Sequence, residues 1–386
     1  MMRKKFSVFL LVLMAAVVIL VPVVACKQAA APTAAPTAAP APARTAVVTP
    51  KPPDPWEELV KAAKAEGSLT LYTTAIAPLV TPLQENFGKK YGINLEFVQG
   101  RPTEVQAKIK AERNAGIFLA DVGHLGETTS TIDVKPQGWI IPVEPLLFLP
   151  EVKDPGNWIG NKLPYTDKEK YVLMFVQMAI PHAVANSDTV KEGQLTSFLD
   201  LLKPEWKGKI VFSDPAISGT SPNLLTAFYE HFGEAKAMEI FQQLKAQEPV
   251  ITRDQRQLLE WVAKDKYPIG LGQSMSLFSE FKRAQAPVRT LNFSEPRFIS
   301  GGPGNLVIFD KAPHPNAAKL YANWLLSKEG MTLWSTITGW PPTRKDVPTG
   351  HLDPESIPNA NDIFPTEDHL KLRLVVRKIG GDLFKE

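Results

Sequence analysis

The sequence predicts an α/β fold with more than one hydrophobic core, and three observations carry that expectation. From Trp56 to Gly126, stretches with apolar positions at helical spacing alternate at short intervals with runs of strand character. That is the pattern of a parallel sheet faced by helices. Strand and helix signals alternate again between residues 209 and 293. The chain also has 386 residues, more than the roughly 250–300 that a single core serves.

Taken in order, the chain opens with a basic segment, Met1 to Lys5, followed by the apolar run Phe6 to Ala25, broken only by Ser7 and Pro22. This charge-then-apolar layout is that of a secretory signal. The run ends in Val23-Val24-Ala25-Cys26, which resembles the bacterial lipobox. The resemblance implies cleavage before Cys26 and lipidation of its thiol. An uncleaved membrane anchor is the alternative, since the run approaches the roughly 20 residues that span a bilayer. Cys26 is the only cysteine in the sequence, and its position favours the lipoprotein. On either reading the body lies outside the cytoplasm and no disulfide forms within one chain. Residues 1–26 are therefore expected as signal peptide. Residues 27–55, with the repeat APTAAPTAAPAPA, are expected as an extended tether with no core of its own. Without Arg3, Lys4 and Lys5 the net charge of +3 vanishes, leaving 40 acidic residues balanced by as many basic ones. A neutral body without a basic run argues against nucleic acid or an anionic membrane as partner.

The body starts at Asp54-Pro55-Trp56-Glu57, an N-cap with proline at the first helical position. Ser68 to Tyr72 then reads as a strand, Ile93 to Val98 as the next, and Leu119 to Val122 as a third. Between the last two, Thr103 and Gln106 have capping-box spacing. In such sheets ligands sit at the carboxyl ends of the strands. That selects Thr73 and Thr74, Arg101 and Thr103, and His124 and Glu127. Plainer readings stand beside these: Thr103 as a cap only, Arg101 as solvated, His124 as a satisfied polar residue.

Further on, strand Lys209 to Phe212 runs through Ser213-Asp214-Pro215 into Ser218-Gly219-Thr220-Ser221-Pro222. Ser221 as cap with Pro222 at the first helical position is a strong helix start. Its backbone N–H groups and dipole make a ready anion site. Strand ends at Thr252-Arg253 and Gln273-Ser274 mirror those of the first half. The histidines lack metal-ligand spacing, and no G-x-S-x-G elbow or phosphate-binding P-loop occurs. No enzyme activity and no cofactor are expected.

Three ordered strings resemble the bacterial extracellular solute-binding proteins, the receptors of ABC importers, in the branch that includes ferric-iron and small-solute receptors. They are WEELVKAAKAEGSLTLY, then DLLKPEWKGKI with SDP and SGT, then NAAKLYANWLLSKEGM with GWPPTRKDV. The resemblance implies a two-lobe, type II periplasmic-binding-protein-like fold with the ligand cleft between lobes joined by crossing strands. It assigns residues 56–179 and 298–347 to lobe one, 180–297 to lobe two and 348–386 to a C-terminal extension. The expected binding residues are Thr73, Thr74, Arg101, His124, Ser218, Gly219, Thr220, Ser221, Arg253, Gln273 and Ser274. The expected partners are a small-molecule ligand, ABC permease subunits, and lipid through Cys26, with the protein acting as a monomer. Ferric receptors of the family use an adjacent tyrosine pair, and this sequence has none. A small anion therefore suits the cleft better, with ferric ion, thiamine-like cations and polyamines left open. A tethered sensor on the same fold is the other class of function.

Overall fold

The computed structural model describes residues 54–385 apart from Ile76 and Ser218, so the signal peptide, Cys26, nearly all of the tether and Ser218 lie outside the described residues. Helix α1 (Pro55–Glu66) begins as its sequence indicates, with the Asp54 carboxylate accepting from the Trp56 N–H at 2.9 Å. Strands β1 (Ser68–Thr73), β2 (Asn94–Gln99), β3 (Val122–Leu125), β4 (Ile140–Ile141) and β5 (Leu173–Met174) follow. Strand β6 (Met178–Ala179) leaves this region. Then come β7 (Ala183–Asn186), β8 (Ile210–Ser213), β9 (Val250–Thr252), β10 (Ile269–Leu271) and β11 (Val288–Leu291). The chain returns through β12 (Ile299–Ser300), which pairs antiparallel with β6, and ends its strands with β13 (Asn305–Phe309).

The two large sheets repeat one plan. In the first, the order is β2-β1-β3-β13-β4, with β5 also on β13. In the second it is β9-β8-β10-β7-β11. In each, three parallel strands meet an antiparallel fourth, supplied by the chain as it crosses between lobes. Parallel strands need both faces covered. Accordingly Ile210 and Phe212 enter one core of the second lobe, while Val211 between them enters the core on the opposite face. In the first lobe Leu69 and Leu71 face a core with Phe87, Tyr321 and Trp334, while Tyr72 faces Val105, Ile109 and Phe309. Period-two alternation on a doubly covered sheet accounts for both.

Three local readings are corrected. Helix α2 (Pro102–Asn114) is capped by Arg101, whose N–H donates to Glu104 at 2.9 Å; Thr103 is already helical. Pro102 fixes φ near the helical value and so starts the helix one residue early. The third strand runs 122–125, not 119–122, because Gly123 is a strand residue and not a turn. A Cβ there would lie 2.6 Å from Val307 on the adjoining strand. Helix α3 (Thr220–Phe232) starts after Gly219, so neither Ser221 as cap nor Pro222 at the first position holds.

Beyond β8 the chain adds α3, α4 (Glu234–Ala246), α5 (Gln255–Ala263), α6 (Met275–Arg283), α7 (Pro315–Leu326) and α8 (Lys328–Thr338). Residues after Pro348 form a strap. Asp353 pairs with Lys282 at 3.0 Å, Asp362 with Arg297 at 2.6 Å, and Ile363 bridges Phe298. Helix α9 (Glu367–Leu383) follows. Its Val376, with Phe384 just beyond, enters the core of the second lobe, while Glu367 at its start reaches Lys135 of the first at 2.8 Å. Among the described residues no helix is long and apolar enough to cross a membrane.

Candidate functional site

The carboxyl ends of the parallel strands in both sheets feed helices, and a cavity of about 870 Å³ opens there. Its walls come from Gly126 to Thr129 after β3, from Met178, Ile180 and Ser300 on the crossing segments, and from the starts of α3, α5 and α6. Trp340 and, from the C-terminal helix, Arg373 complete it.

The start of α3 is held by hydroxyl clasps. Ser221 donates to the Ser213 carbonyl at 2.7 Å, and Thr220 donates to the Gly272 carbonyl. Gly272 has φ +74°, and a Cβ on it would collide with the Ser221 hydroxyl at 1.9 Å, so only glycine lets these three loops meet. The Thr220 and Ser221 hydroxyls, expected to face a ligand, are thus engaged within the protein. Among the described residues no side chain caps this helix, and Gly219 and Thr220 line the cavity. By contrast α5 is capped by Asp254, which accepts from Arg256 and Gln257, and α6 by Ser274.

The other expected residues separate into two groups. Arg253 and Ser274 line the cavity, although Arg253 is 77% exposed and pairs with Asp214 at 2.8 Å. Gln273 is buried with its amide donating to the Pro181 carbonyl at 3.3 Å. Thr73 is buried and accepts from the Ala75 N–H at 2.9 Å, and the Thr74 N–H donates to the His124 carbonyl; neither lines the cavity. Arg101 is turned to solvent, 82% exposed and paired with Glu104. His124 is buried in the core of the first lobe against Phe175, Tyr321 and Trp334, because the strand continues past it. Burial pushes its imidazole down to about 3, so the ring is neutral.

Glu127 is at the cavity with one carboxylate oxygen engaged: Oε1 accepts from Ser300 Oγ at 2.9 Å and from the Gly301 and Gly302 N–H groups. Arg373 was not foreseen. Its guanidinium, on a residue only 9% exposed, donates to Asn223 Oδ1 in α3 at 2.6 Å and to Thr128 Oγ1 beyond β3. It therefore joins the two lobes at the cavity wall through neutral groups, with no carboxylate within ion-pair distance among the described residues. Burial lowers its basicity, the nearby Glu127 charge raises it, and Arg377 lowers it. A local signal for it exists: Leu370, Arg373 and Val376 share the buried face of α9, so a charge sits on an apolar stripe.

Residues 83–365 match the family model described as bacterial extracellular solute-binding protein. A protein of Haemophilus influenzae, itself described as uncharacterized, is 26% identical over 275 residues, covering 70% of this chain and 76% of its own. The fold is similar to that of Trichodesmium IdiA (FutA) in complex with iron and citrate, with TM-score 0.67 and 20% identity over 83% of this chain and all of that one. It is also similar to the periplasmic binding protein AfuA of Actinobacillus pleuropneumoniae with fructose-6-phosphate bound, with TM-score 0.62 and 22% identity over 82% of this chain and 98% of that one.

Proposed function

The chain belongs to the bacterial extracellular solute-binding proteins, and on that footing we propose that it is the tethered receptor of an ABC importer that captures a small anion between its two lobes. Membership makes its task binding without turnover. The observation that carries the anion reading is Arg373, a buried cation at the cavity with no carboxylate partner among the described residues. A buried charge left unpaired is costly, so an anion arriving there is strongly favoured. The start of α3, which no side chain caps among the described residues, adds oriented N–H groups on the same cavity. The structural relatives' ligands, citrate with iron and a sugar phosphate, likewise carry anionic oxygens.

The geometry supports a transport role. Two lobes joined by the β6–β12 crossing hinge about the cavity, and a solute touching both stabilises the closed form. That form is then offered to the permease, while the lipid on Cys26 and the Ala/Pro/Thr segment keep the receptor at the membrane. This tether rests on the order of residues 1–55.

A thermal-shift screen tests the anion reading. Small carboxylates, phosphonates, sulfonates, ferric citrate, thiamine and putrescine are each added to the purified protein. A ligand at 100 times its Kd stabilises by about 2.7 kcal/mol. The expected result is a shift with one of the organic or inorganic anions. A shift with thiamine or putrescine alone contradicts it.

A further inference from the structure

The cavity is far larger than a bare oxyanion requires. At about 870 Å³ it lies in the roughly 300–1,000 Å³ range of sites for organic molecules. Most of its charged side chains are engaged within the protein. Arg253 pairs with Asp214, Arg256 with Glu280, and Glu127 Oε1 accepts from the Ser300 hydroxyl and the Gly301 and Gly302 N–H groups. Arg373 remains, with two of its five N–H donors engaged by Asn223 and Thr128. The same cavity is walled by Met178, Ile180, Ile217, Met275, Leu277 and Trp340, all partly or fully removed from water. Among the described residues no group of three or more His, Cys, Asp or Glu is placed to hold a metal ion, and no tyrosine lines the cavity.

We propose that the solute is an organic acid with one oxyanion group, gripped by Arg373 of the C-terminal helix, and an apolar body resting on Trp340 and the methionines. This rests on the anion reading above. It makes the strap part of the binding site, since α9 supplies the anchoring cation. It also explains why Arg373 touches both lobes. With Thr128 beyond β3 and Asn223 in α3 as its neighbours, the guanidinium is in place only when the two strand edges face each other. Aromatic and thioether surfaces accept the organic body by dispersion and area burial, without a directional partner.

Calorimetric titration of the purified protein separates the possibilities, with phenylphosphonate and benzoate as organic probes, orthophosphate and sulfate as bare ones, and ferric citrate alongside. At least one organic probe should bind at least tenfold more tightly than both inorganic anions. Arg373→Met should weaken that probe by 100-fold or more, with Arg373→Lys between the two, because lysine keeps the charge and loses the fork. Trp340→Ala should weaken the organic probe about tenfold and leave any orthophosphate affinity unchanged. If Arg373→Met fails to fold by circular dichroism, Arg373→Lys and Trp340→Ala decide the matter. Equal affinity for orthophosphate and the organic probes overturns this inference and leaves the anion reading standing. Retained binding by Arg373→Met overturns the inference too. Uptake of iron from ferric citrate without its citrate, with no anion binding, overturns both, as does binding of none of the probes.

Discussion

An Arg297→Met protein is expected to lose about 3–5 kcal/mol of unfolding free energy, the range for breaking a buried ion pair from one side. Arg297 lies where the chain leaves the second lobe, and its guanidinium is engaged on several sides. Nε and Nη2 donate to Asp362 at 3.0 and 2.6 Å, Nη1 to the Glu355 carbonyl at 2.7 Å, and Nη2 to the Ile357 carbonyl at 3.2 Å. The Asp362 side chain is 1% exposed, so removing the arginine strands a carboxylate away from water. The strap then loses its middle attachment while α9 still packs on α3. Urea unfolding should show the midpoint falling sharply. The double variant Arg297→Met with Asp362→Leu should recover most of the loss, since no buried charge is then left alone. A single variant within 1 kcal/mol of the parent would mean the pair does not hold the strap.

The second large effect is acid sensitivity. Burial pushes His182 down to about 4 and His124 down to about 3, against an ordinary value near 6.5. His182 lies under the crossing, its Nδ1 accepting from the Phe293 N–H at 3.1 Å and its Nε2 donating to the Pro296 carbonyl at 3.2 Å. Both rings stay neutral in the folded chain and take up a proton on unfolding. Their contribution is therefore complete above pH 6.5 and is lost as pH falls toward 4 and then 3. Two protons give a slope of up to about 2.7 kcal/mol per pH unit below 6.5. Urea midpoints between pH 7 and 4.5 should fall accordingly, with His182→Gln cutting the slope by about half. A flat profile across that range would contradict the burial of both rings.

Much of the fold was legible because its signals are local. Asp54-Pro55 announces α1, and the unbroken apolar run Ile210-Val211-Phe212 announces a strand covered on both faces. The site was less so. Strand ends locate the cavity edge, but a shift of a few residues moves a side chain from the edge into the core, as it does for His124. Hydroxyls at a helix start look like ligand donors until their carbonyl partners, Ser213 and Gly272, are brought near by the sheet. Arg373 is 245 residues from Thr128 and 150 from Asn223, so no spacing rule joins them. Only the charge on the apolar stripe of α9 points to its burial, and the pairing across the cavity follows from topology.

A crystal structure of the protein with the anion that raises its melting temperature most decides between two sites. The anion is expected in the cavity between the lobes, its oxygens on the Arg373 guanidinium and near the first N–H groups of α3, and Trp340 against its organic part. An anion bound instead in the groove between Asn292 and Asp362, or one in the cavity but out of reach of Arg373, would contradict it.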